Sequence, residues 1–541
     1  MSSPRLMTLA PHSRIWWLGL FVALGALGWS FASDFTGPWT DQIDANGACW
    51  SQSAHNTLAV GVIPTAGVPS AFYFGTPPIP PDGFYTHHPP LLSLMLTALF
   101  AALGEAEWVA RLLPIAFSFL GVVLLWLLVK EGTNARTAAL VVIAFAAMPM
   151  ELRYGRMVNF EPVNLVWVLC ALLGLRIWKK TGRECGWWVF LSAATLSMWT
   201  AWLGYLFVLV VGFSVRLSAR RQVLLFGAVL VSLLLFFGQI KLARPDAWHD
   251  LLAAMNYRMA HGGHAIGWRA WSIRIGSLLL AHIPPALWLL GLAGVGVVAK
   301  SPRGSQLRRL GWSAACFFAM NVLYIVLFRN ASSVHDYASF YFTVPVAIMA
   351  GVALDAFCRW CEARGAAAHV TGLSCAVSVM GFLVVTGERR TAELRRPFLI
   401  LTDENPEPAD LIPALGRAMR TWFGQDVAII CNFLPSYGPQ LHYYAQHELL
   451  PGVFTADEWA DVMTDPENAP VGGAVWLGDP RAAEILAKLP PGPQERLTIR
   501  GIPFCFWCPH ERDSDAARAT FKIACSETNP TDRPPPAARA R

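Results

Sequence analysis

Long apolar segments recur through the first three quarters of this 541-residue chain and constrain its fold more than any other feature. A helix needs about 20 mostly apolar residues to cross the hydrocarbon core of a bilayer. Segments near that length lie at 15–33, 108–129, 137–152, 161–178, 187–201, 202–216, 222–240, 273–299, 310–328, 340–358 and 369–386. Only 14% of the residues are charged and 55% are hydrophobic, against about 25% and 45–50% in soluble domains. We therefore predict a polytopic α-helical membrane protein with about 11 transmembrane helices.

The basic residues indicate orientation rather than nucleic-acid binding. The formal net charge is +6, but Lys and Arg cluster in short loops between apolar runs, as the positive-inside rule predicts for cytoplasmic loops. A further apolar run, 89–104, decides the topology, because counting it as a span would reverse every later loop. It is short for a crossing and begins with two prolines, so we interpret it as an interfacial helix on the outer face. The N-terminus is then cytoplasmic, and we expect the protein to lie in the inner (plasma) membrane.

The composition changes after about residue 388. Short apolar runs there alternate with Pro, Gly and acidic residues, which is typical of a soluble domain. We predict a transmembrane domain over 1–388, with a long first outer loop at 34–107. A small extracytoplasmic α/β domain follows at 389–525, and the polar stretch 526–541 is predicted to be disordered.

A single C-x-x-C motif, Cys505 and Cys508, lies in the predicted outer domain. One such pair without a second cluster is weak evidence for a zinc or redox site. A structural disulfide, with Cys525 or Cys431 as further partners, is the favoured interpretation for an oxidising compartment.

Polar residues collect near the membrane ends of the predicted outer face. They are Asp41, Asp44, His87, His88, Glu105, Glu107, Arg111, Arg153, Arg156, Asn159, Glu161, His335, Asp336 and Tyr337. Each has a simpler explanation when taken alone: Asp44 could cap a helix, and the histidines and arginines could anchor the chain at lipid headgroups. Because ionisable groups at membrane depth are costly, their convergence on one face favours a functional site.

Five segments, taken in order, resemble the GT-C glycosyltransferases. They are DANGACWSQSAHN, YTHHPPLLSLM, GEAEWVARLLPIAFSFLG, MELRYGRMVNFEP and HDYASFYFTVPVAIMAG. The resemblance covers roughly 15–385 and is closest to the branch of protein O-mannosyltransferases and of lipid A aminoarabinose and galacturonic acid transferases. It implies that 1–388 is a catalytic domain, that the sugar arrives on a polyprenyl phosphate, and that an acid of the first outer loop is catalytic.

Asp44 matches the family's catalytic position best, because the family pattern follows it directly. The usual Asp-Glu pair is absent, since Gln42 follows Asp41 and Ala45 follows Asp44, and Asp41 is therefore the second candidate. A polyprenyl-phosphate leaving group departs without a general acid, so one carboxylate can suffice as the base, unlike the carboxyl pair of glycosidases.

The departing phosphate instead requires cations, and arginine suits bidentate contact with it. Arg111 and Arg156 are the predicted phosphate ligands, with His87 and His88 as secondary ligands. Further site candidates are Asn159, Glu161, His335 and Tyr337. Asn159 and Glu161 match in part the metal-binding acids of related oligosaccharyltransferases, so the resemblance leaves a divalent metal open.

The sequence thus predicts an inverting glycosyltransferase that moves a sugar from a polyprenyl-phosphate donor to a lipid, glycan or protein acceptor on the extracytoplasmic face. A membrane transporter or lipid flippase is the alternative, although such proteins tend to place ionisable groups near the midplane and to show repeated halves. An inactive relative that acts through its outer domain is a third possibility.

Overall fold

The computed structural model describes residues 16–75, 77–261, 265–395, 401, 407–408, 410–423, 427–433, 438–451, 455–464 and 471–508. Contacts divide the chain into two compact units. The first, here the membrane unit, comprises Met1–Phe35, Ala66–Val68 and Thr86–Arg395. The second, here the sheet unit, comprises Thr36–Thr65, Pro69–Tyr85 and Arg396–Arg541. The predicted disordered tail at 526–541 lies outside the described residues.

The membrane unit is helical throughout its described part. Its helices are α1 (Trp17–Ala32), α3 (Leu91–Leu103), α4 (Glu107–Gly132), α5 (Ala135–Ala146), α6 (Pro149–Tyr154), α7 (Phe160–Thr181), α8 (Glu184–Thr200), α9 (Trp202–Ser214), α10 (Ala219–Ala243), α11 (Ala247–Arg258), α12 (Trp268–His282), α13 (Pro285–Lys300), α14 (Gln306–Leu327), α15 (Arg329–Val334), α16 (Thr343–Glu362) and α17 (Ala366–Leu394). A 3₁₀ helix, Asp336–Phe342, leads into α16. The helix α2 (Asp44–Val60) belongs to the sheet unit.

A polytopic helical membrane protein is confirmed, but the predicted count of about 11 spans is not. Within the described residues, six helices are long and apolar enough to cross a membrane, or seven if the bent pair α12 and α13 is one span. Several other predicted spans correspond to helices such as α5 and α9, with 12 and 13 residues. At 1.5 Å per residue these measure only about 18–20 Å, against the roughly 30 Å of a hydrocarbon core.

Prolines explain why one predicted span is broken. The sequence places a continuous apolar run at 273–299, whereas α12 and α13 meet at an angle of 96°. Pro284 precedes α13 and Pro285 begins it. Proline lacks the N–H that a continuing helix would use and clashes with the preceding turn, so the helix ends before it. Hydropathy alone does not register this break.

The segment Asp336–Glu362, which joins the 3₁₀ helix to α16, is the most buried of the candidate spans in the described chain, with 83% of its apolar window enclosed. Small residues allow its neighbours to approach closely. A Cβ atom at Gly294 would come within 1.9 Å of the Met349 carbonyl oxygen, and one at Gly351 within 2.4 Å of a Val141 methyl group. These glycines therefore bring the helices into direct backbone contact, as in packed membrane bundles.

The sheet unit contains a five-stranded mixed sheet, so the small C-terminal sheet is present, whereas the domain bounds 389–525 stay a prediction. Its elements after residue 396 are α18 (Leu411–Trp422), β1 (Ala428–Cys431), α19 (Pro439–Ala445), β2 (Leu449–Pro451), α20 (Ala456–Thr464), β3 (Val471–Trp476), α21 (Ala482–Lys488), β4 (Gln494–Ile499) and β5 (Ile502–Trp507). The strand order is β2-β1-β3-β5-β4, in which β1 runs parallel to β2 and β3, and β5 runs antiparallel to β3 and β4. Strand β3 is central, with β1 and β5 beside it, and the apolar β1 and β3 are mostly buried, as expected for strands covered on both faces.

The predicted disulfide at the C-x-x-C motif is not formed. Cys431, Cys505 and Cys508 are all buried free thiols. Cys505 lies within the extended strand β5, and Cys508 follows directly after it. Side chains alternate between faces along a strand, so two cysteines three positions apart point to opposite sides. The suggested partner Cys525 lies outside the described residues.

Candidate functional site

The proposed base Asp44 lies in the sheet unit, at the first position of α2. Its side chain is only 8% exposed. The Oδ2 atom accepts hydrogen bonds from the backbone N–H groups of Thr40 and Asp41, each at 3.0 Å. These two bonds fix the orientation of the carboxylate across the turn that precedes the helix.

The turn that carries Asp44 also forms hydrogen bonds with residues of α19. The Trp39 N–H donates to the Tyr444 hydroxyl at 2.8 Å, and Gln440 Nε2 donates to the Asp41 carbonyl oxygen at 3.1 Å. About two turns further along α2, Gln446 Nε2 donates to Gln52 Oε1 at 2.9 Å. Sequence analysis did not find these partners, because about 400 residues separate them from the acid.

Residues that follow Asp44 in the recognised motif build a scaffold. A Cβ at Gly47 would lie 2.5 Å from the Trp39 ring, so only glycine leaves room for that indole. Asn56 Nδ2 donates to the Ser70 and Tyr73 carbonyl oxygens at 3.2 and 2.8 Å, and the Ser53 hydroxyl accepts from the Ser70 N–H at 3.1 Å. The motif thus packs α2 against the next segment of its own unit.

The two predicted phosphate ligands converge in the membrane unit on the residues just after α1. Arg111 is 2% exposed, and its Nη1 donates to the Phe35 carbonyl oxygen at 3.2 Å. Arg156 is also buried, and its Nη1 lies 3.2 Å from Asp34 Oδ2. Arg395, which sequence analysis missed, reaches the same Asp34 oxygen at 3.2 Å. Three guanidinium groups therefore surround two adjacent residues, which we call the arginine cluster.

His87 has a carboxylate partner instead of a place in the arginine cluster. Its Nε2 lies 3.0 Å from Asp250 Oδ2, and the same oxygen lies 3.0 Å from Arg244 Nη1. Burial and the positive charge of Arg258 lower the pKa of His87 below its usual value, although Asp250 opposes that shift. The imidazole is therefore mostly neutral at pH 7.

His88 and Glu161 lie together around a very small cavity. His88 stacks on Phe160 with ring centroids 4.5 Å apart. The cavity beside them measures about 10 Å³, close to the least that holds one water molecule. Burial, together with the positive charge of Arg258, lowers the pKa of His88 well below 6.5. This space is too small for a sugar or a phosphate.

The partial resemblance to a metal site is not matched by a set of metal ligands among the described residues. Asn159 directly precedes α7 and Glu161 is its second residue; both are buried. Glu161 Oε2 has no hydrogen-bond partner among the described residues. Over that same part of the chain, no group of three or more His, Cys, Asp or Glu side chains is placed to hold a metal ion.

The last two predicted candidates, His335 and Tyr337, form a separate aromatic cluster in the membrane unit. The Tyr337 hydroxyl lies 3.0 Å from His335 Nδ1, and the rings stack at 5.1 Å. Tyr154 packs edge-on against Tyr337 at 6.0 Å, and His282 lies 3.7 Å from Asp336. His282 was missed, although a lone histidine inside the predicted apolar run 273–299 is a recognisable signal.

Glu151 is a buried acid that sequence analysis quoted but did not single out. It is fully buried in α6, and within the described chain neither carboxyl oxygen has a hydrogen-bond partner. Burial raises the pKa of Glu151 to about 8. A Cβ atom at Gly155 would lie 2.6 Å from Glu151 Oε1, so the glycine makes room for the carboxyl group. At pH 7 this group is mostly protonated and can donate a hydrogen bond.

Comparison with known proteins identifies the fold. A sequence model of the dolichyl-phosphate-mannose-protein mannosyltransferase family matches residues 87–255. The structure of ArnT from Cupriavidus metallidurans bound to undecaprenyl phosphate is similar with a TM-score of 0.58 and 14% identity, over 92% of this chain and 98% of that chain. The apo oligosaccharyltransferase of Archaeoglobus fulgidus is similar with a TM-score of 0.56 and 13% identity, over 85% of this chain and 69% of that chain. No curated protein matches in sequence. The chain has the GT-C fold.

The family match covers one part of the predicted site. It extends from the residues before α3 into α11 of this chain. It includes His87, His88, Arg111, Arg156, Asn159 and Glu161. Asp41 and Asp44 precede it, and His335 and Tyr337 follow it. The resemblance that the five sequence motifs indicated is confirmed, whereas the role of each site residue stays a prediction.

Proposed function

We propose that this protein is an inverting glycosyltransferase that moves a sugar from a polyprenyl-phosphate donor to an acceptor on the extracytoplasmic face. The observation that carries the proposal is the arginine cluster within a GT-C fold. Buried guanidinium groups are costly unless they meet an anion, and here Arg156 meets the half-exposed carboxylate of Asp34. A solved structure of the same fold, ArnT, is bound to undecaprenyl phosphate.

Arg111 and Arg156 are assigned to the phosphate of the donor, with Arg395 as a further ligand. Asp34 pairs with Arg156 and Arg395 and holds their forks in place. The Asp34 side chain is 54% exposed, so it can leave the guanidinium groups when a phosphate arrives. A dianionic phosphate offers more acceptor oxygens than one carboxylate and suits bidentate contact.

Asp44 is assigned the role of general base. In a single displacement, an acceptor hydroxyl oxygen forms a bond to the anomeric carbon while the bond from that carbon to the phosphate oxygen breaks. The hydroxyl proton passes to the Asp44 carboxylate, and the phosphate leaves with its charge balanced by arginine. One inversion at the anomeric carbon follows, and no second carboxyl group is required.

Donor binding tests the assignment of the arginines. Undecaprenyl phosphate is titrated into the purified protein in detergent, and its binding is followed by native mass spectrometry. Arg111→Lys and Arg156→Lys keep the charge but lose the planar fork, so we expect both variants to bind the lipid about tenfold more weakly. Arg303→Lys, an exposed residue between α13 and α14, is the matched control and should bind like wild type.

Sugar transfer tests the reaction itself. The purified protein is supplied with lipid-linked sugars extracted from membranes, and consumption of the donor is measured together with the acceptor that becomes labelled. A transporter or flippase would move the lipid-linked sugar without breaking its glycosidic bond. Donor movement without any release of polyprenyl phosphate would therefore contradict the proposed transfer.

A further inference from the structure

A second basic site lies in the membrane unit, away from the arginine cluster. A cavity of about 380 Å³ is lined by the last turns of α7, the residues at the end of α9 and the first turns of α14. Four of its lining residues are cations, Arg176, Lys179, Arg216 and Arg309. Its volume falls in the lower part of the usual range of ligand pockets, about 300–1,000 Å³.

Arg176 forms a buried wall of this cavity. It is 9% exposed, its Nη1 donates to the Leu128 carbonyl oxygen at 3.1 Å, and its Nη2 donates to Gln306 Oε1 at 3.3 Å. Its Nε has no hydrogen-bond partner in the described chain. A Cβ atom at Gly132 would lie 2.6 Å from Nη2, so the glycine leaves room for the guanidinium group. Neutral oxygens thus orient this charge, and the Glu131 carboxylate lies near enough to interact with it electrostatically without pairing with it.

The cations of the cavity also have no acidic partner in the described chain. The nearby carboxylates belong to Glu131 and Glu184, and cations outside the cavity already bind them. Lys180 Nζ lies 2.5 Å from Glu131, and Arg221 Nη2 lies 2.5 Å from Glu184. The Lys179 ammonium group donates only to the Arg216 carbonyl oxygen, at 2.8 Å. The cavity therefore concentrates positive charge that an anion would satisfy.

The position of Arg176 along α7 places this cavity far from Glu161 of the candidate site. Arg176 follows Glu161 by 15 residues on the same helix, which is about 22 Å at 1.5 Å per residue. All four cations lie at the end of the bundle that the positive-inside rule assigns to the cytoplasm. Phosphate headgroups of anionic lipids gather at that surface, and basic pockets between membrane helices bind them.

We propose that this cavity binds the phosphate of an anionic phospholipid. The guanidinium fork of Arg176 and the exposed cations Arg216 and Arg309 would contact the phosphate oxygens. The apolar wall, which includes Leu172 and Trp312, would contact the glycerol and the first acyl carbons. Orientation alone would explain exposed cations, but it would not explain a buried guanidinium group with an unpartnered Nε at the edge of a cavity.

Native mass spectrometry of the full chain in detergent tests this site. Dioleoylphosphatidylglycerol and dioleoylphosphatidylcholine are offered at equal concentration, and the retained lipid adducts are counted. Wild type should retain phosphatidylglycerol preferentially, and Arg176→Gln and Arg309→Gln should each reduce that adduct at least about fivefold, because each removes charged hydrogen bonds. Arg220→Gln removes an exposed cation from the same end of the bundle without touching the cavity and should leave the adduct unchanged.

Three results would overturn the proposal. Equal retention of both lipids would show that charge is not recognised, and equal losses in Arg309→Gln and Arg220→Gln would show that the cavity is not the binding site. If an excess of inorganic phosphate displaced phosphatidylglycerol, the site would bind free phosphate and not a lipid. Should Arg176→Gln fail to fold, Arg309→Gln and Lys179→Gln change exposed residues and decide the same question.

Discussion

Asp34 and Asp44 lie ten residues apart in the sequence but belong to different units and have different surroundings. Asp34 is half exposed and pairs with the guanidinium groups of Arg156 and Arg395. Asp44 is nearly buried, and its Oδ2 accepts two backbone N–H groups. The first arrangement suits a counter-ion that can be exchanged for another anion. The second suits a carboxylate whose orientation must not change.

The comparison predicts opposite consequences for the same chemical change. Converting Asp44 to Asn removes a proton acceptor but keeps an oxygen that can accept the two N–H groups. Converting Asp34 to Asn removes negative charge from the arginine cluster and leaves its cations available to another anion. Measuring sugar transfer and donor binding in both variants separates a catalytic base from a counter-ion.

The largest effect is expected for Asp44→Asn. A positioned general base typically contributes about 10²–10⁴-fold to the rate, so sugar transfer should fall by that factor. Donor binding and thermal stability should stay near the wild-type values, because the amide oxygen still accepts from Thr40 and Asp41. Asp41→Asn is the matched control and should be milder. Near-normal transfer by a stable Asp44→Asn protein, or inactivation by Asp41→Asn alone, would reassign the base.

Tyr444→Phe should have the next largest effect, because it loosens the turn that carries Asp44. The substitution leaves the buried Trp39 N–H without the hydroxyl that now accepts from it at 2.8 Å. An unsatisfied buried donor costs about 1–3 kcal/mol, so the unfolding midpoint should fall by several degrees. Transfer should fall less than in Asp44→Asn, with donor binding unchanged. Tyr443→Phe makes the same change one residue away, and an equal loss there would remove the argument for positioning.

Arg156→Lys and Asp34→Asn sharpen the comparison at the arginine cluster. The lysine variant should bind undecaprenyl phosphate about tenfold more weakly, because it loses the planar fork. Asp34→Asn should bind that lipid as well as wild type or more tightly, because the phosphate no longer competes with a carboxylate. Weaker binding in both variants, by similar factors, would mean that Arg156 only holds Asp34 in a structural ion pair.

Several features of this fold could be predicted from local sequence. Apolar runs identified the helical membrane unit, and the change in composition after residue 388 indicated the C-terminal sheet, although not the segments Thr36–Thr65 and Pro69–Tyr85 of the same unit. Arg111 and Arg156 were singled out because each is a cation at a predicted outer end, beside the first or second outer loop. The structure brings them to two adjacent residues, Arg111 to Phe35 and Arg156 to Asp34.

Other features depend on pairings that no local pattern encodes. Arg395 meets Asp34 across 361 residues, and Tyr444 meets Trp39 across 405. Hydrophobic periodicity describes which face of a segment is buried but not which distant segment covers it. The predicted count of about 11 spans is not confirmed, because apolar runs also form helices as short as α5 and α9, and because the Pro284-Pro285 pair that bends one predicted span changes mean hydropathy very little.

The smallest expected effect is the pH dependence of stability. It concerns the ion pair of Asp250, which differs from that of Asp34. Asp250 pairs with His87 as Asp34 pairs with Arg156, yet burial and Arg258 keep the pKa of that histidine below its usual value. The same causes hold the pKa of His88 still lower.

These histidines bind protons more weakly in the folded state than in the unfolded state. Their neutral forms therefore cost no free energy of unfolding above about pH 6.5, and the free energy of unfolding decreases as the pH falls below that value. The loss is at most about 1.4 kcal/mol per pH unit for each histidine that stays neutral. Thermal unfolding of wild type and of His88→Gln would be compared from pH 7.5 to pH 5.5. The midpoint should fall more steeply in wild type, since the variant lacks one of the suppressed sites. Parallel curves would show that His88 titrates normally, and a steeper fall in His88→Gln would reverse the sign of the proposed linkage.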